Sequence, residues 1–247
     1  MPPWGLAQVG LAALVTLVVS TALGGLIVAV AGLEATGDQS AQERASLVVV
    51  AILQTTLWVG MLGSVFFVLR SRPATPVVDL GLRVRWSDVP LGIVLGVAGQ
   101  LVLVPAVSWP WTRLLGSDAD ELREPACRLA EKADDPLGVV LLFAITVVGA
   151  PVVEEVFFRG FAQRPAVARL GRPLGLVATA ALFGLTHFQL EQLAALVAFG
   201  LVLGYLADRT GRLGPGIVTH MAFNATTVVT LVLLSSSLGD QCRGVLP

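Results

Sequence analysis

Apolar residues gather in long runs with almost no charge, separated by shorter links that concentrate Arg, Asp, Glu, Pro and Gly. The first run, Met1 to Leu33, carries no charge, and the second, Ala45 to Leu69, covers 25 residues with Gln54, Thr55 and Thr56 as its strongly polar members. Each exceeds the roughly 20 residues a helix needs to cross a bilayer core of about 30 Å. Further runs extend from Val89 to about Trp109, from Pro136 past Val153 to Arg164, from Pro173 to about Phe188, from Gln192 to Ala207 and from Leu213 to Leu238. The pattern predicts an all-α fold, a polytopic membrane helix bundle with about seven transmembrane helices, and a single integral membrane domain over residues 1–247.

The links refine this picture. Ala29-Val-Ala31 resembles a signal-peptidase site, but the apolar run before it is too long and no basic segment precedes it, so the first helix is expected to be retained. Pro73 and Pro76 keep the start of the second link from being helical, and Asp79 to Trp86 is expected to lie along the membrane surface. Gln54, Thr55 and Thr56 are expected to make interhelical hydrogen bonds. Residues 113–135 read as an acidic loop with one short helix, Glu124 to Ala133, and lack calcium-loop spacing.

Composition agrees with the pattern: 55% of residues are hydrophobic and 13% charged, with a mean hydropathy of +0.82, against about a quarter charged in soluble domains. The net charge of −1 and the absence of a dense basic patch leave no footprint for nucleic acid. Fifteen of the 16 basic residues are Arg, a usage that fits a GC-rich bacterial genome. The links 70–88, 159–173 and 208–212 hold ten basic residues and the opposite side six, which predicts a multi-pass cell-membrane protein with the N-terminus cytoplasmic and the C-terminus outside. Cys127 and Cys242 then share the outer side, where they can pair. They have no CxxC or metal-site spacing, and Cys242 lies too far from the end for prenylation.

The chemistry sits inside the runs. Val152-Val-Glu-Glu-Val-Phe-Phe-Arg159 ends a stretch, Pro136 to Val153, that contains no charge. Ionisable groups there cost about 2.5–3.5 kcal/mol each on insertion scales, so they are rarely without a role. On a helix Glu155 and Arg159 stand at i and i+4 and can pair, while Glu154 points about 100° away. The chain's two histidines, His187 and His220, also fall in apolar runs, with Asn224 one turn beyond His220. Measured at about 1.5 Å per residue from the cytoplasmic helix ends, His220 lies about 10 Å deep, Glu154 about 14 Å and His187 about 20 Å, depths compatible with one polar cavity.

A carboxylate beside histidines in a dry cavity suits general-base activation of water, and His and Asn can donate to the oxyanion of a tetrahedral intermediate. The implied reaction is peptide-bond hydrolysis without a nucleophilic side chain and without a cofactor. Zinc held by Glu154, Glu155, His187 and His220 is the competing chemistry, although no HExxH is present. Serine chemistry lacks a GxSxG, an Asp–Asp mechanism lacks an intramembrane Asp, and a transporter lacks a clear inverted repeat.

Glu154-Glu155-x-x-x-Arg159, Phe183-x-x-x-His187 and His220-x-x-x-Asn224, in this order on separate helices, resemble the three motifs of the CPBP intramembrane glutamic proteases, which include CAAX prenyl endopeptidases and bacterial Abi-type bacteriocin self-immunity proteins. The resemblance covers residues 136–230 as a catalytic core. It implies Glu154 as the water-activating base assisted by His187, His220 and Asn224 as oxyanion donors, Glu155 and Arg159 as residues shaping the site, and Phe183 packed beside the substrate. It also implies a helical bundle whose cavity opens to cytosol and membrane, with membrane lipid and a peptide or membrane-protein substrate as partners. It leaves the substrate open, and some relatives act as non-proteolytic scaffolds.

Overall fold

The computed structural model describes residues 2–30, 47–71, 75–133, 135–233 and 242, and none of them is in a strand. Helix α1 (Leu6–Val30) and helix α2 (Leu47–Arg70) form an antiparallel hairpin. A short helix α3 (Pro76–Asp79) leads to α4 (Asp88–Leu115), the amphipathic α5 (Ala119–Glu131) and the long α6 (Pro136–Leu170). Then come α7 (Arg172–Leu185), α8 (Leu193–Thr210) and α9 (Gly214–Val228), which a π-helical turn, Val229–Leu233, continues. Five of these, α1, α2, α4, α6 and α8, are long and apolar enough to cross a membrane. With the shorter α7 and the extended α9 the described residues hold seven membrane-type helical segments, the all-α bundle the apolar runs predict.

Several boundaries differ from the sequence reading. The third span runs on to Leu115 as one continuous helix, with Pro105 just after a π-helical turn, Gly99–Leu103, and Pro110 accommodated inside it. The helix in the acidic loop starts at Ala119 rather than Glu124, since Asp118 caps it by accepting from the Asp120 and Glu121 amides, both at 2.9 Å. The fifth span ends at Leu185, and Thr186 to Gln192 form a loop. Thr56 reaches across to the Ser20 carbonyl at 3.5 Å, but Thr55 bonds within its own helix. The expected ends of the first span, at Leu33, and of the seventh, at Leu238, lie outside the described residues.

Small residues set how closely the helices approach. Gly92 and Gly96 of α4 face α9, where a Cβ on Gly96 would sit 2.4 Å from the Thr219 carbonyl oxygen. Their four-residue spacing makes the close-packing stripe typical of membrane helix pairs. In the α1–α2 hairpin Gly60 lies against Thr16, and the Thr16 and Ser64 hydroxyls meet at 3.3 Å. Trp4 stacks on Phe161 at 5.4 Å and donates its indole N–H to the Phe161 carbonyl, which ties the N-terminal segment to α6.

The two ends of the bundle are tied differently. At one end Arg212 pairs with the buried Asp88, and the turn into α9 bonds back to Gly81 and Arg83 through the amides of Leu213 and Gly214. Gly81 has φ +75°, a conformation that favours glycine. At the other end Trp111 donates to the Leu190 carbonyl and Gln192 to the Leu122 carbonyl. A disulfide there joins Cys127 of α5 to Cys242.

Candidate functional site

Helix α6 changes pitch around the acid pair. It is α-helical over Pro136–Leu142, π-helical over Phe143–Gly149, α-helical over Ala150–Glu154 and π-helical again over Glu155–Ala162. Wide turns of this kind are rare and concentrate at functional sites, because they release carbonyls and re-aim side chains. Here they flank Glu154 on both sides.

Glu155 is 0% exposed and Arg159 2%. Arg159 Nη1 donates to Glu155 Oε1 at 2.9 Å, Nη2 donates to the Gly200 carbonyl of α8 at 3.1 Å, and the guanidinium lies 4.3 Å over the Phe183 ring. One turn further, Gln163 Nε2 donates to the Gly204 carbonyl at 2.9 Å. Two side chains of α6 thus hold two carbonyls of α8, which the absence of side chains at Gly200 and Gly204 leaves reachable. Glu155 Oε2 has no hydrogen-bond partner among the described residues and faces Gly216 of α9, where a Cβ would come within 2.9 Å of it.

His220 brings the two acids together. Its Nδ1 lies 3.3 Å from Glu155 Oε1 and its Nε2 lies 3.9 Å from Glu154 Oε2. The Glu154 side chain keeps 16% of its surface exposed, so the acid without the arginine partner is the accessible one. His187 stands in the loop just past α7, outside the apolar helix the sequence suggests for it, and is held by that helix's last turn: Nδ1 stands 2.8 Å from the Phe183 carbonyl, which can only accept, so Nδ1 carries the proton and Nε2 points away. Phe183 is shared, its ring meeting His187 at 4.7 Å and His220 at 5.8 Å. Asn224, one turn beyond His220, donates Nδ2 to the Thr146 carbonyl at 2.8 Å, inside the first π-helical stretch.

Glu154, Glu155, Arg159, Phe183, His187 and His220 are therefore joined through direct contacts or through the Phe183 ring, and Asn224 is anchored on α6 beside them. The sequence reading missed Phe199, Gln163, Thr146 and the two glycine carbonyls. Gly200 and Gly204, four residues apart, were a signal for close helix approach, and Gln163 continues the Glu155, Arg159 spacing by one more turn. Among the described residues no group of three or more His, Cys, Asp or Glu has the geometry to hold a metal ion.

Fold and site together define a multi-pass membrane protein with a buried acid, guanidinium and imidazole centre between its helices. Residues 136–226 match the family model described as Rce1-like, the type II CAAX prenyl endopeptidase Rce1-like group. The match covers less than half of the chain, and over that segment the sequence is similar to the CPBP and CAAX protease family. No curated protein matches the chain, and no solved structure does.

Proposed function

We propose that the protein is an intramembrane glutamic endopeptidase, a single integral domain whose catalytic core is residues 136–230. The carrying observation is the division of labour in the acid pair: Glu155 is engaged by Arg159, whereas Glu154 is partly exposed beside His220 Nε2. Glu154 takes a proton from water, and the resulting hydroxide adds to the carbonyl carbon of the scissile peptide. His187, with its Nε2 lone pair free, assists by orienting that water. The oxyanion accepts from His220 Nε2–H and from the second Nδ2 hydrogen of Asn224. Collapse of the intermediate breaks the C–N bond as Glu154 returns its proton to the leaving nitrogen, giving a carboxylic acid and an amine, between which the remaining acidic proton then passes to leave a carboxylate and an ammonium. Phe183 is fully buried, so in place of the substrate contact expected of it, it packs behind the site against the His187 and His220 rings.

The guanidinium already at Glu155 weighs against zinc there, since a second cation would share that carboxylate. The decisive comparison is wild type against Glu154→Gln, purified in detergent with a chelator and assayed by mass spectrometry on co-expressed membrane peptides. General-base removal costs about 10²–10⁴ in rate. Products with wild type alone, despite the chelator, are expected. Products lost with chelator and restored by zinc would replace this mechanism with a metalloprotease, and equal behaviour of the two proteins would make the site a scaffold.

The N-terminus is cytoplasmic and the C-terminus outside. Supporting this are the excess of basic residues in the links on the N-terminal side and the disulfide on the opposite end, which suits an oxidising compartment.

A further inference from the structure

Helix α8 carries none of the motif residues, yet it forms one wall of the site. Phe199 is 1% exposed, and its ring meets the His220 imidazole edge-on at 5.5 Å with an interplanar angle of 78°. From another direction Phe183 meets the same imidazole at 5.8 Å and 79°. Phe199 is itself fixed, stacked on Phe223 at 3.9 Å and 20°, and Phe223 lies three residues after His220 on α9. The neighbouring residue, Gly200, supplies the carbonyl that receives Arg159.

An imidazole turns about a broad, roughly two-fold terminal torsion, so packing must choose its plane. The 3.3 Å contact between Nδ1 and Glu155 is long for an N–H···O bond, which prefers about 2.7–3.2 Å, and leaves the ring plane weakly fixed by hydrogen bonding. Edge-to-face aromatic contacts are directional, and two of them on one ring fix its plane. We infer that Phe199 is a positioning residue: together with Phe183 it clamps the His220 imidazole so that Nδ1 faces Glu155 and Nε2 faces Glu154. Phe199 touches neither water nor scissile carbonyl. Its effect on rate rests on the proposed function, whereas the clamp itself does not.

The chain has two histidines, so ¹⁵N-histidine labelling of the full protein in detergent reports both rings, and the His187→Asn variant assigns them. Phe199→Met removes the aromatic ring but keeps most of the volume, and Phe199→Leu leaves a smaller apolar group. In wild type the His220 Nδ1 and Nε2 signals should be separate. In both variants they should move toward an averaged pair while His187 stays unchanged, and kcat should fall about tenfold with KM within about threefold. Unchanged His220 signals in both variants would overturn the clamp, as would equal disturbance of His187 together with a lost thermal transition. Altered His220 signals in a protein whose wild type cleaves nothing would keep the clamp and sink the protease reading. Lost activity with unaltered His220 signals would do the reverse.

Discussion

At the scale of single residues the site is governed by the cost of buried charge. Glu155 and Arg159 are both buried, the guanidinium against the Phe158 and Phe183 rings, and their pairing is what makes the burial tolerable. Removing one partner of such a pair costs about 3–5 kcal/mol because the other is stranded. Arg159→Met should therefore lower the detergent melting temperature by about 10 °C, at roughly 2–4 °C per kcal/mol for chains of this size. Combining it with Glu155→Leu should lose less than the sum of the single changes, which a thermal double-mutant cycle reads directly. Gly216→Ala tests the same carboxylate from α9. Its methyl would press on Glu155 Oε2, so a loss of about 1–3 kcal/mol in a melting assay is expected, as for overpacked cores.

At the scale of elements the question is which helix faces touch protein and which touch lipid. Gly96 and Gly25 look equivalent as glycines in apolar helices, but their surroundings are opposite. A Cβ on Gly96 meets the Thr219 carbonyl and Ala222, whereas one on Gly25 meets nothing within 4 Å. Gly96→Ala should push α4 off α9 and lower both melting temperature and activity. Gly25→Ala should be neutral or stabilising by up to about 1 kcal/mol, the helix-propensity gain. Equal melting temperatures for the two variants would show that the α4–α9 contact is not the close one described. The motif helices follow the same rule: the glycines of α8 give α6 access to its carbonyls, and that contact sets how deep Arg159 sits.

At the scale of the whole molecule, orientation has a direct readout. In a background of Cys127→Ser and Cys242→Ser, a cysteine introduced at Ser117 should react with an impermeant maleimide from outside intact cells, and one at Ser71 only after permeabilisation. The opposite pattern would invert the topology. The disulfide closes a loop with a sequence separation of 115. Chain-entropy reasoning puts such a bond at up to about 4.7 kcal/mol, so reduction should lower the melting temperature without abolishing the helical signal.

The sequence by itself determined the helical class, the approximate spans and the residues with chemistry, because a charge in hydrocarbon is too costly to be incidental and stands out against an apolar run. It also determined that Glu155 and Arg159 can pair, since that contact is local to one helix. Only the tertiary structure decided what depends on contacts between helices: that α8 walls the site through Phe199 and Gly200, that the Thr146 carbonyl holds Asn224, that His220 stands between the two acids, and that Cys127 meets Cys242. Such contacts depend on side-chain direction and helix rotation, to which a hydrophobic run is blind when it is apolar on every face. The pitch of α6 belongs with them, because a π turn keeps the same apolar composition while rotating everything beyond it.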